Sequence, residues 1–282
     1  MALPVDKLGT RYDPATTVID PDRAKAYAAA TNDANPAYTS GKYAPPVFGV
    51  VPTWNQMLVA SADIIPPEAL LFIVHGEQDM HFHQPLVPGA TLTTTAEAYA
   101  IRVGSSGSRL VVKIESVDAS QTPVLTQYVT IFVRGMADGE SGGPDKPGHD
   151  FPEEARANKV GSQSIHVDDD QTFRYRDASG DEMPIHLDDA VAKSVGLPGI
   201  IAHGLCTMAM CSQAVIATTA DGDPARLKRL AVRFASNVFP GNDVEVDVYD
   251  AGVTDSGLRA YAFEATSAGA VVVKNGWAEV EA

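Results

Sequence analysis

The chain has 282 residues, of which 45% are hydrophobic, and this length and composition suit a fused pair of domains with a sizeable core. Its formal net charge of −15 opposes binding to nucleic acid or to an anionic membrane surface, since both would repel it. Its two cysteines, Cys206 and Cys211, share one apolar segment, which argues against a disulfide framework or a thiolate metal site. The N-terminal M-A-L-P-V-D-K lacks the basic start and apolar run of a secretory signal, so we expect a soluble, cytoplasmic protein.

The first half of the chain predicts a helical region followed by an antiparallel sheet. Its strand segments are rich in Val, Ile, Thr and aromatic residues, and Pro-Gly, Gly-Ser-Ser-Gly and Ser-Gln-Thr-Pro turns separate them. The four predicted strands are Leu71–His83, Ala90–Ile101, Arg109–Val117 and Val124–Arg134. Residues 136–161 contain many Pro, Gly, Asp and Glu residues and cannot pack a core, so we expect them to link a half spanning residues 1–135 to a half spanning residues 162–282.

The second half repeats this order of elements. The predicted helices are Asp169–Tyr175, Asp188–Gly196 and an apolar helix from His203, and the predicted strands are Leu230–Asn237, Asp243–Tyr249, Leu258–Thr266 and Ala270–Val280. The apolar helix has few charges, but Pro198, His203 and Gln213 interrupt its segment, which favours burial under a curved sheet over a membrane span. Helices first and a meander second in each half predict an α+β fold.

Two stretches of the chain are related by a constant shift of 148 positions. The sequence Y-R-D-A-S-G-D-E-M-P-I-H ends at His186, and the sequence Y-A-A-A-T-N-D-A-N-P-A-Y ends at Tyr38. Asp33 of the first copy matches Asp181 of the second, but Tyr38 stands where the second copy has a histidine. The duplication therefore predicts one chemical site per chain.

The second copy places an acid and an imidazole on one short loop. Gly180 and Pro184 both oppose regular helix, so the side chains of Asp181 and His186 can converge without sharing a helical face. Such a pair can hold one water. On its own the pattern also fits a turn-forming aspartate and a histidine that caps the next helix.

Three motifs in order carry a resemblance to a known family. They are Y-R-D-A-S-G-D-E-M-P-I-H-L-D, A-H-G-L-C-T at Ala202–Thr207 and R-F-A-S-N-V-F-P-G at Arg233–Gly241. Together they resemble the MaoC-like hydratase 2 family, the (R)-specific enoyl-CoA hydratases. In the first half, H-G-E-Q at His75–Gln78, followed by Q-P-L-V-P-G, resembles the N-terminal half of the double hot-dog hydratase 2 unit of peroxisomal multifunctional enzymes. The resemblance spans nearly the whole chain.

This resemblance implies a fold and an activity. The fold is a tandem hot-dog, in which each half wraps an antiparallel sheet around a long helix. The activity is hydration of a trans-2-enoyl-CoA to an (R)-3-hydroxyacyl-CoA, or the reverse dehydration, with no metal or redox cofactor. Asp181 and His186 carry over as the acid and base that deliver hydroxide to C3 and a proton to C2. Gly204 opens the apolar helix, where backbone N–H groups and the positive helix end suit the thioester oxygen.

The first half is expected to be non-catalytic and to bind the acyl chain, within a homodimer. His75 and Gly76 match a binding pair of the family, although a strand histidine is also common as a structural residue. His75, His81 and His83 could also suggest a metal site. No carboxylate pattern completes such a site, so we predict none.

Residues near the second-half motifs complete the predicted substrate site. Phe234 matches the family position that lines the ligand. Met183, on the loop between Asp181 and His186 (the catalytic loop), stands where the family has Asn. Four basic residues lie just before and within the predicted strand of Phe234: Arg226, Lys228, Arg229 and Arg233. We expect the last three to dock CoA phosphates; a solvated charge cluster is the alternative.

Two other functions stay compatible with the sequence. A hot-dog thioesterase would release free CoA from a saturated acyl-CoA, whereas a hydratase changes the enoyl absorbance without releasing a thiol. A non-catalytic subunit would bind acyl thioesters and hydrate none of them.

Overall fold

The structure, a computed structural model, describes residues 2–282 except for the side chain of Leu71. The helices are α1 (Pro21–Ala30), α2 (Pro36–Thr39), α3 (Trp54–Ile64), α4 (Gln171–Ser179), α5 (Asp189–Ser194) and α6 (Gly204–Thr219). The strands are β1 (Ala15–Val18), β2 (Ile73–Phe82), β3 (Thr91–Gly104), β4 (Gly107–Val117), β5 (Pro123–Arg134), β6 (Lys159–His166), β7 (Leu227–Phe234), β8 (Asp243–Val253), β9 (Arg259–Ser267) and β10 (Ala270–Val280). In the described residues, no helix has the length and apolar character needed to cross a membrane.

The first of two compact units contains the chain up to Val18, Pro52–Gln84 and Ala90–Gly148. Its five strands form an antiparallel sheet in the order β1-β3-β4-β5-β2. Helix α3 packs on β3 and β4. Ala60 and Ile64, four positions apart on one face of α3, share an apolar cluster with Ala96 and Val112 of these strands. The helix and the inner face of the sheet therefore bury each other.

The second unit contains Ile19–Val51, Pro85–Gly89 and His149–Ala282. Its strands also form an antiparallel sheet, in the order β7-β10-β9-β8-β6. Helix α6 packs on four of them, β6, β7, β8 and β10. Every residue from Leu205 to Ser212 is buried, which confirms the prediction of a helix that is apolar on nearly all sides. One helix against one antiparallel sheet in each unit is the predicted hot-dog arrangement.

All eight predicted strands are present, and their ends differ from the prediction by four residues or fewer. The expectation of four strands per half was wrong, because each unit has a fifth strand at the edge of its sheet. Strand β1 has only four residues, and β6 begins inside the segment that we expected to be a linker. Most residues of β6 are exposed, so it lacks the apolar alternation by which strands are recognised.

The first copy of the duplicated loop is buried in the second unit. Asp33 is 9% exposed, and its Oδ1 accepts a hydrogen bond of 3.0 Å from the Asn35 N–H. Burial raises the pKa of Asp33 to about 6, and the bond from Asn35 offsets only part of this effect. Burial likewise raises the pKa of the Tyr38 hydroxyl. The acid of the first copy therefore lies where its charged form is disfavoured.

We expect Asp33→Asn to stabilise the protein at neutral pH. Because the pKa of Asp33 is about 6 in the folded protein and close to 3.8 in the unfolded chain, folding favours the protonated acid, and stability is lost as the pH rises through this window. The loss amounts to about 3 kcal/mol once both states are ionised. Urea unfolding should show a gain for the variant that is larger at pH 7.5 than at pH 5. The control is Asp255→Asn at an exposed carboxylate; an equal response of the two variants contradicts the argument.

Candidate active site

The loop that carries the predicted acid begins where helix α4 is forced to end. Gly180 adopts a left-handed conformation with φ of 79°, and its N–H donates to the Arg176 carbonyl at 2.7 Å. Arg23 of α1 then donates to the carbonyls of Ala178 and Ser179, at 2.7 and 2.6 Å. These bonds satisfy the last carbonyls of α4, so the chain leaves the helix at a defined point directly before the loop.

His186 closes the loop in a buried turn. Its ring is 2.8 Å from the Ile201 carbonyl through Nδ1, and since a carbonyl only accepts, Nδ1 carries the hydrogen. A neutral His186 therefore has its lone pair on Nε2. Burial lowers the pKa of His186, while the Ile201 carbonyl and Asp181 act in the opposite direction. The ring is thus poised as a neutral base.

Asp181 is half-buried and its carboxylate is held by the loop itself. Its Oδ1 accepts from the Met183 N–H at 3.1 Å, and its own N–H donates to Ser179 Oγ at 3.1 Å. Met183 thus acts through its backbone, and its side chain is 50% exposed. In the first copy the equivalent residue, Asn35, uses its side chain to cap α2 by accepting from the Ala37 N–H. The carboxylate of Asp181 keeps further lone pairs for a water.

A third residue, His203, completes the cluster. One ligand atom from each of Asp181, His186 and His203 lies within 4.8 Å of the others. The two imidazoles are stacked, with centroids 3.8 Å apart and planes 28° from parallel. His203 Nε2 donates to the backbone carbonyl of Asp181 at 3.2 Å. Burial, followed by the neighbouring His186, lowers the pKa of His203 to about 3.

Sequence reasoning missed His203 as a functional residue. The motif A-H-G-L-C-T contains it, but only Gly204 was assigned a role. A signal was available, because His203 is the N-cap residue of α6, a position that usually holds Ser, Thr, Asp or Asn. Its side chain makes no cap hydrogen bond in this position. The His203 side chain instead contacts the His186 ring and the Asp181 carbonyl.

Two imidazoles and a carboxylate within 4.8 Å also raise the question of a metal ion. Across the described residues this is the one group of three potential ligands, and His75, His81 and His83 form none. A zinc ion needs lone pairs that converge on one point at about 2.0 to 2.1 Å. Stacked rings direct their in-plane lone pairs side by side, so the observed geometry favours ring packing over shared coordination.

Gly204 and Phe234 lie against each other at the start of α6. Gly204 is the first helical residue, so its N–H has no acceptor inside the helix. A Cβ added at Gly204 would be 3.3 to 3.5 Å from three ring atoms of Phe234. The structure therefore brings both residues next to His203, where the positive end of α6 meets the loop.

Lys228 and Arg229, two of the predicted basic residues, are engaged with carboxylates. Lys228 lies 3.0 Å from Glu281 and also donates to the Ala225 carbonyl, while the buried Arg229 lies 3.2 Å from Glu279. Side chains alternate along β7, so Arg229 and Arg233 lie on the face opposite Phe234. An incoming phosphate therefore competes with carboxylates that already occupy this cluster.

His75 and Gly76 lie on β2 of the first unit. Burial lowers the pKa of His75 to about 4, and a side-chain hydrogen bond with Gln78 acts in the opposite direction. A Cβ added at Gly76 would be 3.3 Å from the Thr130 carbonyl oxygen, so the two strands approach closely there. His81 Nε2 lies 3.2 Å from Asp79 Oδ1.

Comparison with known proteins gives matches for both halves. Residues 152–268 match the family described as MaoC like domain, and residues 38–135 match the MFE-2 hydratase 2 N-terminal domain. A probable enoyl-CoA hydratase 2 of Dictyostelium discoideum is 28% identical over 64% of this chain and 61% of that protein. A peroxisomal multifunctional enzyme type 2 of Drosophila melanogaster is 32% identical over 73% of this chain and 36% of that protein. The chain thus spans less than two thirds of either relative.

A solved structure extends the likeness to the whole fold. The crystal structure of a MaoC-like dehydratase from Phytophthora capsici matches with a TM-score of 0.88 and 25% sequence identity. The match covers 99% of this chain and 98% of that chain. Both units of the present structure are therefore part of the common architecture.

We expect Gly204→Ala to destabilise the protein by up to about 1 kcal/mol, because the Phe234 ring must shift slightly to accept the added methyl and the better helix propensity of Ala offsets part of that cost. Replacing that ring in Gly204→Ala/Phe234→Leu should recover part of the loss. Chemical denaturation of the two variants measures both effects. Gly148→Ala is the control, since a Cβ there meets nothing within 4 Å. Additive losses in the double variant would show that the two sites do not interact.

Proposed function

Because the chain belongs to the MaoC-like family of hot-dog hydratases, we propose that it hydrates trans-2-enoyl-CoA thioesters to (R)-3-hydroxyacyl-CoA and catalyses the reverse dehydration. The observation that carries this proposal is the approach of the Asp181 carboxylate and the His186 ring to within 4.8 Å beside the start of α6. A water between two such groups can be oriented by one and deprotonated by the other.

The chemistry assigns different tasks to the two side chains. Asp181 accepts a hydrogen bond from the water and orients it, and His186 Nε2 takes a proton as the water oxygen bonds to C3 of the substrate. The electron pair of the double bond moves to C2, and the proton held by His186 is returned there on the same face. Water is added across the double bond, and both side chains end in their starting states.

Gly204 supports the same reaction at the thioester. Negative charge develops on the thioester oxygen as the water adds, and the Gly204 N–H at the positive end of α6 is a donor without an intrahelical acceptor. Loss of one such donor typically costs about 3 to 4 kcal/mol of transition-state stabilisation. The ring of Phe234 shields this end of the helix and supports its role in lining the substrate site.

The first half, residues 1–135, is proposed to bind the acyl chain without doing chemistry, through His75 and Gly76. Support comes from Tyr38, which replaces the imidazole, and from Asp33, whose buried position disfavours its charge. Met183 contributes its backbone N–H and lies on the exposed side of the loop. The homodimer and the cytoplasmic location expected from the sequence stay predictions.

The CoA phosphates are proposed to bind at the basic cluster of Lys228, Arg229 and Arg233. Lys228 is the most available, since its partner Glu281 is largely exposed and can move into solvent. Arg229 is buried in its ion pair and acts on the phosphates only through the charge of the cluster.

Asp181→Asn and His186→Gln are each expected to lower kcat for hydration of a short enoyl-CoA by about 10²- to 10⁴-fold, because each removes one group that handles the water. Loss of enoyl absorbance gives the rate, and chiral analysis of the product gives the configuration. Glu182→Gln, which removes the exposed carboxylate next to Asp181 in sequence, is the matched control and should retain the rate of the wild type.

Each contrary result points to a different function. Release of free thiol from a saturated acyl-CoA supports a thioesterase and contradicts hydration. Binding of enoyl-CoA by folded wild-type protein without turnover contradicts catalysis and supports a binding subunit. An (S)-configured product would contradict the proposed stereochemistry alone.

Lys228→Gln is expected to raise KM for enoyl-CoA several-fold with little change in kcat, since it removes a cation that contacts the nucleotide and not the reacting atoms. The matched control is a second substrate that lacks the nucleotide. An enoyl-pantetheine thioester lacks the nucleotide phosphates, so its KM should be the same for the wild type and the variant. Equal changes in both KM values would show that Lys228 acts on the fold instead.

A further inference from the structure

His203 contacts both members of the proposed acid-base pair. Its ring lies on the ring of His186 at 3.8 Å, and its Nε2–H donates to the main-chain carbonyl of Asp181 at 3.2 Å. The residue is 1% exposed. A single buried side chain thus joins the two ends of the catalytic loop to the first turn of α6.

His203 also contacts a column of buried rings. The ring of Tyr175 lies 4.8 Å from His203, and Tyr27 lies 5.3 Å from Tyr175. The two tyrosine hydroxyls are 3.1 Å apart and hydrogen-bonded, and Phe48 packs edge-on against Tyr27 at 5.5 Å. Tyr27 and Tyr175 are 2% exposed or less. Since each ring is fixed by the next, His203 cannot tilt away from His186 without disturbing the core.

The contacts of His203 suit a structural task in the site. Its Nε2–H is directed at a backbone carbonyl, and its Nδ1 is buried and without a hydrogen-bond partner in the part of the chain that the structure describes. Burial lowers the pKa of His203 to about 3, so the ring is neutral at the pH where a hydratase works. When His186 takes a proton, its stacked neighbour adds no second positive charge.

We propose that His203 is a positioning residue, whose ring fixes the orientation of the His186 imidazole while its Nε2–H fixes the main chain of Asp181. This role rests on the proposed hydration for its catalytic consequence. The geometric part stands on the stacking, the hydrogen bond and the ring column alone. Freed from this contact, His186 would sample orientations in which Nε2 does not meet the water.

Two variants separate the ring contact from the hydrogen bond. His203→Phe keeps a stacked ring and removes the donor, whereas His203→Gln keeps a donor and removes the ring. We expect His203→Gln to lower kcat by about 10- to 100-fold with KM changed less than about twofold, because misplacement of a catalytic group costs rate rather than binding. The decrease for His203→Phe should be smaller. Far-ultraviolet circular dichroism verifies that each variant is folded.

The state of His186 gives a readout that a merely structural role would not change. In His203→Gln, water replaces the ring and the pKa of His186, followed by nitrogen-15 NMR, should rise toward 6.5, and the acid limb of the kcat profile should move with it. In His203→Phe the pKa should stay low. Equal losses of kcat in both variants with an unchanged His186 pKa, or kcat within twofold of wild type in both, overturn the proposal.

The wild-type protein provides a test that needs no variant to fold and no activity. Nitrogen-15 NMR should show the Nε2–H tautomer for His203 and the Nδ1–H tautomer for His186, with His203 not titrating between pH 5 and 8. Either opposite tautomer, or a His203 that titrates in this range, contradicts the inferred contacts. If the tautomers are as expected but no enoyl-CoA is hydrated, the proposed function fails and the positioning contacts do not.

Discussion

The hydrogen bond from His186 Nδ1–H to the Ile201 carbonyl determines what the loop can do chemically. It fixes the tautomer, so that the lone pair of the buried neutral ring lies on Nε2. The Ile201 N–H donates back to the Ile185 carbonyl at 3.3 Å, so two bonds join the loop to the segment that leads into α6. The proposed base, His186, and the start of α6, proposed to polarise the thioester, are consequently held together by these bonds.

The two duplicated loops, which end at Tyr38 and at His186, share equivalent positions but lie in different environments. Tyr27 and Tyr175 occupy equivalent positions and hydrogen-bond to each other, so both copies pack on a common contact. Beyond that point the environments differ. Each acid accepts from the N–H two residues on, but Asp33 is buried where its charge is disfavoured, whereas Asp181 is only half-buried. The burial of the acid and the replacement of the imidazole by Tyr38 both distinguish the first copy from the second.

The parts of the fold and site that the sequence could predict are those with a local signal. Strand alternation, Pro-Gly turns and the largely apolar, uncharged sequence of α6 located eight strands and the central helix of the second unit. The glycine and proline of the loop indicated that Asp181 and His186 could converge, and their atoms lie within 4.8 Å.

What the sequence could not show depends on contacts between distant positions. Strand β6 is an exposed edge strand and is recognisable only by its pairing with β8. The stacking of His203 on His186 joins residues 17 positions apart, and two histidines at this spacing do not predict a stacked pair. The basic run was visible, but its partners Glu279 and Glu281 arrive from β10 and the chain after it, so the sequence showed the cations without the anions that neutralise them.

Those ion pairs decide which cation can serve an anionic substrate in so acidic a chain. Separating Arg229 from Glu279 would leave the buried Arg229 guanidinium without its carboxylate, and an unpaired buried charge is strongly destabilising. Lys228 and Glu281 are more exposed, so their pair contributes little to stability and opens at low cost. At the proposed phosphate site, Lys228 is therefore the cation whose carboxylate partner is easily displaced, whereas Arg229 stays paired with Glu279. Because Lys228 is partly exposed, the attraction between its ammonium group and a bound anion should fall as the salt concentration rises.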